Sequence, residues 1–67
     1  MKTVYDLLLE WKPRFDPQGP SCCVVTDTTT YTGTAGYLTN HVWSDKMKTL
    51  RVIEADEGQH IIYADRI

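Results

Sequence analysis

Residues 49–67 read TLRVIEADEGQHIIYADRI, and the way this stretch folds back on itself decides the architecture of the chain. Two runs rich in β-branched and apolar residues, Leu50–Ala55 and Gln59–Ala64, flank Asp56-Glu57-Gly58. A type I turn closed by a glycine in the left-handed region is a common hairpin loop, and Gly58 occupies the position that needs it. With Ala55 opposite Gln59, the ladder would set Glu54 against His60, Ile53 against Ile61, Val52 against Ile62 and Arg51 against Tyr63. Side chains alternate across a strand. One face of this hairpin then carries Leu50, Val52, Ile62 and Ala64, and the other Ile53, Ala55, Ile61 and Tyr63. Both faces are apolar, and a single helix can shield only one of them.

The chain has 67 residues, enough for a single small domain over residues 1–67 and close to the lower limit for folding without a staple. Apolar burial at about 25 cal/mol per Å² barely exceeds an ordering cost of about 1.5 kcal/mol per residue at this size, so self-association is a frequent further source of stability. Hydrophobic residues make up 42% and charged residues 24%, a globular balance that argues against disorder. The net charge of −2, with no block of like charge, gives no strong pull toward nucleic acid or anionic membrane. Leu7-Leu8-Leu9, like every other apolar run of the sequence, falls far below the roughly 20 residues of a membrane span. Lys2 is followed by a helical pattern and not by the apolar core of a signal peptide. A complete short reading frame starting at Met1 is expected, of the kind common among phage and mobile-element accessory genes. Cys22 and Cys23 are neighbours, where a mutual disulfide would strain the peptide between them. Two reduced thiols in a cytoplasmic protein are expected.

Thr3 to Lys12 has the marks of a helix. Thr3 can cap its start with Asp6 reaching back, and Val4, Leu7, Leu8 and Trp11 form one apolar stripe that Tyr5 and Leu9 widen. Pro13 stops it by biasing Lys12 out of the helical region. A helix of about nine residues is marginal alone in water, so its stripe must lie on a sheet. Residues 13–21, PRFDPQGPS, hold all three prolines of the chain and read as a stiff connection with Phe15 tucked beneath it. Cys22 to Asp27 is a strand by its β-branched content. The threonine-rich segment after it allows two registers: extension through Thr32 with a turn at Gly33–Gly36, or an earlier turn just past Asp27. Tyr37 to Trp43 reads as a further strand, and residues 44–48 as a polar connection into the hairpin. The expected fold is α+β, one N-terminal helix packed on a three- to four-stranded antiparallel sheet in mostly sequential order, ending in the hairpin.

No motif specifies chemistry. Cys22, Cys23, His41 and His60 are the only soft metal-ligand candidates, but adjacent cysteines leave a strand on opposite faces and the histidines are far apart in sequence, unlike a zinc site. The cysteines read as buried small hydrophobes. No nucleophile elbow, phosphate-binding glycine loop or HExxH occurs, and a cross-strand Glu54–His60 pair is a surface contact before it is an acid–base pair. A chain this short leaves little room for a pocket of roughly 300 Å³ or more. No catalytic residue, cofactor or metal is expected.

The expectation is therefore a non-enzymatic protein–protein interaction module, a small regulator or inhibitor. It acts as a homodimer or on a larger protein partner through an apolar sheet face. The interface is expected to draw on Ile53, Ile61, Tyr63 and Trp43, with Glu54, Asp56 and Glu57 forming an acidic tip suited to a basic partner. The alternative is a sheet that binds single-stranded nucleic acid, with Tyr31, Tyr37, Trp43 and Tyr63 stacking bases and Lys46, Lys48 and Arg51 meeting phosphates. Which hairpin face the helix covers is open from sequence.

Overall fold

The computed structural model describes residues 2–12 and 18–67. The expected place of Phe15 lies outside the described residues. Helix α1 (Val4–Trp11) starts at a capping box: the Asp6 amide donates to Thr3 Oγ1 at 3.2 Å, and the Thr3 amide donates back to the Asp6 carboxylate at 3.3 Å. Two orphan amides of the first turn are thereby satisfied. Val4, Leu7 and Leu8 are buried, whereas Leu9 stands 42% exposed, so the apolar stripe is narrower than its sequence pattern.

Strand β1 (Ser21–Val25) runs into a tight turn and returns as β2 (Thr30–Thr34). Of the two registers open from sequence, the earlier turn is the one formed. Thr26 holds it with main and side chain together: its amide and its hydroxyl both donate to the Thr29 carbonyl, at 2.8 and 2.9 Å, and its Oγ1 accepts from the Thr29 amide at 3.0 Å. A threonine hydroxyl that closes a loop on its own backbone offers the chain an alternative to continued extension.

The expected strand from Tyr37 to Trp43 is not formed. In its place stand a short helix α2 (Ala35–Leu38), a turn, and a second short helix α3 (Ser44–Lys48) where a plain polar connection was expected. Local capping explains the change. Thr34 Oγ1 accepts from the Tyr37 amide at 3.0 Å, the Thr39 hydroxyl donates to the Ala35 carbonyl at 2.8 Å, and Asn40 Oδ1 accepts from the amides of Val42 and Trp43 at 3.0 and 3.2 Å. These hydroxyls and the amide side chain bind main-chain groups that a strand would have offered to a neighbour. The two helices also point Leu38 and Met47 into the core, where both are essentially inaccessible.

Strand β3 (Leu50–Asp56) and strand β4 (Ile61–Arg66) form the expected hairpin, but the four strands are not in sequential order. The sheet runs β2-β1-β4-β3, with β1 and β4 parallel and the outer pairings antiparallel. The expected antiparallel sheet is thus corrected to a mixed one. Its inner strands are CCVV and IIYA, the two runs that are apolar on both faces, as strands flanked on both edges tend to be. The helices carry the chain from the β2 edge across to the β3 edge, and the hairpin returns it to the centre.

The hairpin register also differs from expectation. Asp56 pairs with Ile61, Glu54 with Tyr63, Val52 with Ala64 and Arg51 with Asp65, with a bulge at Ile53. The loop is longer because Asp56 Oδ1 accepts from the amides of Gly58 and Gln59, at 3.0 and 3.2 Å. The left-handed conformation falls to His60 (φ 57°), not Gly58.

One core cluster unites Val4, Leu7 and Leu8 of α1 with Ala35, Leu38 and Met47 of the short helices and with Cys22, Val24, Leu50, Ile62 and Ala64 of the sheet. All three helices therefore cover the same face of the sheet.

Candidate functional site

Strand alternation makes the opposite face readable residue by residue. If Val24, Ile62 and Ala64 point into the core, then Cys23 and Val25 on β1 and Ile61 and Tyr63 on β4 point away from it. The parallel ladder sets Cys23 beside Ile61 and Val25 beside Tyr63. These four make one apolar patch in the middle of the sheet, with Cys23, Val25 and Ile61 half-buried and Tyr63 43% exposed. On the β2 side, Thr30 and Thr32 stand opposite Val25 and Cys23 and give the patch an uncharged hydroxyl border.

The β3 side is acidic, and the bulge makes it so. Directly opposed residues of an antiparallel pair share a face, so Glu54 lies with Tyr63 and Asp56 with Ile61. Had residues 52–54 run as a regular strand with Ile53 in the ladder, Glu54 would share the helix face with Val52. Ile53 itself is 63% exposed at the bulge. Farther along, Arg51 and Asp65 pair on the uncovered face, Nε to Oδ1 at 2.6 Å and a second guanidinium nitrogen to Oδ2 at 3.1 Å. The pair is solvent-exposed; the hydrogen bond to Arg51 holds the Asp65 carboxyl below the usual carboxylate range, and the Arg51 guanidinium is raised in turn.

Of the residues expected at the interface, Ile53, Ile61, Tyr63, Glu54 and Asp56 are gathered at this face or its β3 edge, and Glu57 sits in the adjoining loop. Trp43 is not among them. It precedes α3 on the helix side, partly buried against the core, with its ring centroid 5.7 Å from that of Tyr31 and 6.2 Å from that of Tyr37. Sequence reasoning omitted Cys23 and Val25, although the two-sided apolar run CCVV carries the same signal as IIYA.

Other combinations weighed from sequence are kept apart. Glu54 faces Tyr63, whereas the His60 ring packs edge-on against Trp11 at 5.1 Å, so no Glu54–His60 pair exists. The Cys22 thiol is buried and donates to the Pro20 carbonyl at 3.3 Å; burial pushes it up to about 11, the wrong direction for a nucleophile. Among the described residues no group of three or more metal-ligating side chains comes together. Tyr31, Tyr37 and Trp43 do cluster, with Lys46 Nζ 6.0 Å from the Tyr31 ring centre, but Tyr63 lies on the other side of the sheet.

The chain does hold more concave space than its length implies. An open groove of about 580 Å³ runs between the β1–β2 turn, α3 and the end of β4, lined among others by Asp27, Tyr31, Asp45, Lys46, Thr49 and Arg66. Its two acids balance its two bases, so it favours neither sign of ligand. Comparison with protein-family models, curated proteins and solved structures finds no match. Among the described residues no helix is long and apolar enough to cross a membrane.

Proposed function

We propose that this chain is a non-enzymatic protein–protein interaction module, a small regulator or inhibitor, that works through the uncovered face of its sheet. One observation carries the reading: among the described residues every helix packs on the same face, and the other presents Cys23, Val25, Ile61 and Tyr63 as a continuous apolar patch. Such a patch on a small domain is the usual mark of an interface. Both cysteines are free, which fits action in a reducing compartment such as the cytoplasm. The test compares the wild-type chain with Tyr63→Glu, in sedimentation and in affinity capture from the native host. A self-association or a captured protein that disappears in Tyr63→Glu, with circular dichroism unchanged, supports the reading. Retention of every interaction by Tyr63→Glu, or a solitary wild-type monomer with nothing captured, overturns it.

A second reading, single-stranded nucleic acid binding, draws support from the Tyr31–Trp43–Tyr37 cluster beside Lys46. Tyr37 is 48% exposed and offers a ring for stacking. In a Trp11→Phe background, quenching of Trp43 by short oligonucleotides, weakening as salt rises, would favour this reading; no quenching at low salt removes it.

A further inference from the structure

The uncovered face has a charge pattern that narrows the kind of partner it fits. Its apolar centre is bordered on the β3 side by Glu54 and Asp56, while Arg51, the cation that β3 places on that face, is already engaged by Asp65. Among the described residues Glu54 belongs to no ion pair. A twofold pair of these domains would have to bury or approach those carboxylates with something. For aligned sheets packed face to face, the twofold axis runs along the strands or across them. An axis along the strands lays β3 over the other copy's β2, whose face residues Thr30 and Thr32 are uncharged. An axis across the strands lays the acidic end over Arg51, which Asp65 has neutralised. Among the described residues neither arrangement gives Glu54 a free cation, and both carry a surplus of negative charge into the interface. A carboxylate buried at an interface without a cation is costly, which counts against a second copy as the partner.

Resting on the interaction-module reading above, we propose that the partner is not a second copy but a different protein, whose docking segment places aliphatic or aromatic side chains on Val25, Ile61 and Tyr63 and lysine or arginine beside Glu54 and Asp56. The apolar centre supplies most of the affinity and the carboxylates set orientation and choice of partner.

A random peptide display library, selected on the immobilised wild-type chain, tests this. Selected peptides are expected to combine apolar anchors with lysine or arginine. A synthetic peptide from the selection is then titrated against three variants. Tyr63→Glu should abolish its binding, with Tyr63→Ser used if the first fails to fold. Glu54→Lys combined with Asp56→Asn, which keeps an oxygen to hold the loop amides, should weaken it about tenfold or more. Higher ionic strength should weaken the wild-type complex and have less effect on the charge variant. Sedimentation of the wild-type chain should show a monomer. Peptides without a basic bias, or binding unchanged by the charge variant, overturn the basic partner while leaving the interaction face intact. A wild-type dimer dissociated by Tyr63→Glu overturns it in favour of a second copy. Peptides indifferent to Tyr63→Glu, or no selected peptide together with no self-association, overturn the interaction face itself and the basic partner with it.

Discussion

Glu54 and Tyr63 stand opposite each other across the β3–β4 ladder, a carboxylate beside a ring on the face that the helices leave open. The bulge at Ile53 creates this pairing. Val52 and Glu54 lie two positions apart and would share a face in a regular strand, yet Val52 packs on the core while Glu54 faces outward. One extra residue reconciles the two demands: an apolar contact for α1 and a charged border for the open face.

Deleting Ile53 is expected to be mild for that reason. Val52 would remain opposite Ala64 and Glu54 opposite Tyr63, now as consecutive pairs of an unbroken ladder. Ile53 is 63% exposed, so little burial is lost. Urea unfolding should show a change below about 1 kcal/mol. Cross-strand contacts between Glu54 and Tyr63 should persist in nuclear Overhauser spectra; contacts between Glu54 and α1 instead would show that the bulge is not what sets the face.

Gly33→Ala is expected to displace Tyr37. A Cβ at this position would lie 2.8 Å from Tyr37 Cδ2, and the backbone there has φ 157°. Tyr37 is 48% exposed and has room to swing away, but alanine is strained at this φ whatever the space, so the backbone sets the cost, at about 1–3 kcal/mol. Because Tyr37 packs 6.2 Å from Trp43, the Trp43 fluorescence should change in a Trp11→Phe background.

Thr34→Ala should cost about 1 kcal/mol, the usual worth of a helix N-cap, and Thr34→Ser should retain most of it. The Thr34 hydroxyl serves twice, accepting from the Tyr37 amide and donating to Gln18 Oε1 at 2.9 Å. Asn40→Ala should cost no more than Thr34→Ala, because it frees the Val42 amide while the Trp43 amide keeps its 3.1 Å bond to the Asn40 carbonyl. Thermal melts of the four chains measure both effects. A Thr34→Ala variant as stable as the wild type would mean that Leu38 and Met47 alone hold α2 and α3 in place.

The two cysteines should separate by reactivity and by pH. A thiol reagent applied to the folded chain should label Cys23, half-buried on the open face, and reach buried Cys22 only on unfolding. Burial raises the Cys22 thiol from 9.0 to about 11, so the folded state prefers it neutral. Its contribution to stability is complete below pH 9.0 and is lost as pH rises toward about 11. Chemical denaturation across that window should fall less steeply in Cys22→Ala than in the wild type. Equal slopes would show that the thiol is not desolvated as the structure places it.

The first helix was legible because its determinants are local: Thr3 and Asp6 cap it, and Val4, Leu7 and Leu8 repeat at helical spacing. The hairpin was legible in outline, and an even slip of register left Leu50 and Val52 on the face of Ile62 and Ala64. Of the interface residues, Ile61 and Tyr63 follow from that alternation alone. The segment 34–48 was misread because YLTNHVW alternates like a strand, while the capping oxygens of Thr34, Thr39 and Asn40 act on backbone amides and carbonyls that periodicity does not register. Trp43 went with it to the opposite side of the sheet.

The sequence by itself determined that this is an α+β chain and that its C-terminal hairpin is apolar on both faces, of which a single helix can shield only one. These properties follow from residue type and spacing, which no tertiary contact alters. Only the tertiary structure decided that β4 enters the sheet beside β1, that α1 takes the Val52 and Ile62 face, and that Glu54 and Asp56 border the other. Strand order and register are settled by which long-range pairings bury the most while satisfying the loop at Asp56, and a single bulge is enough to move a carboxylate from one face of a sheet to the other.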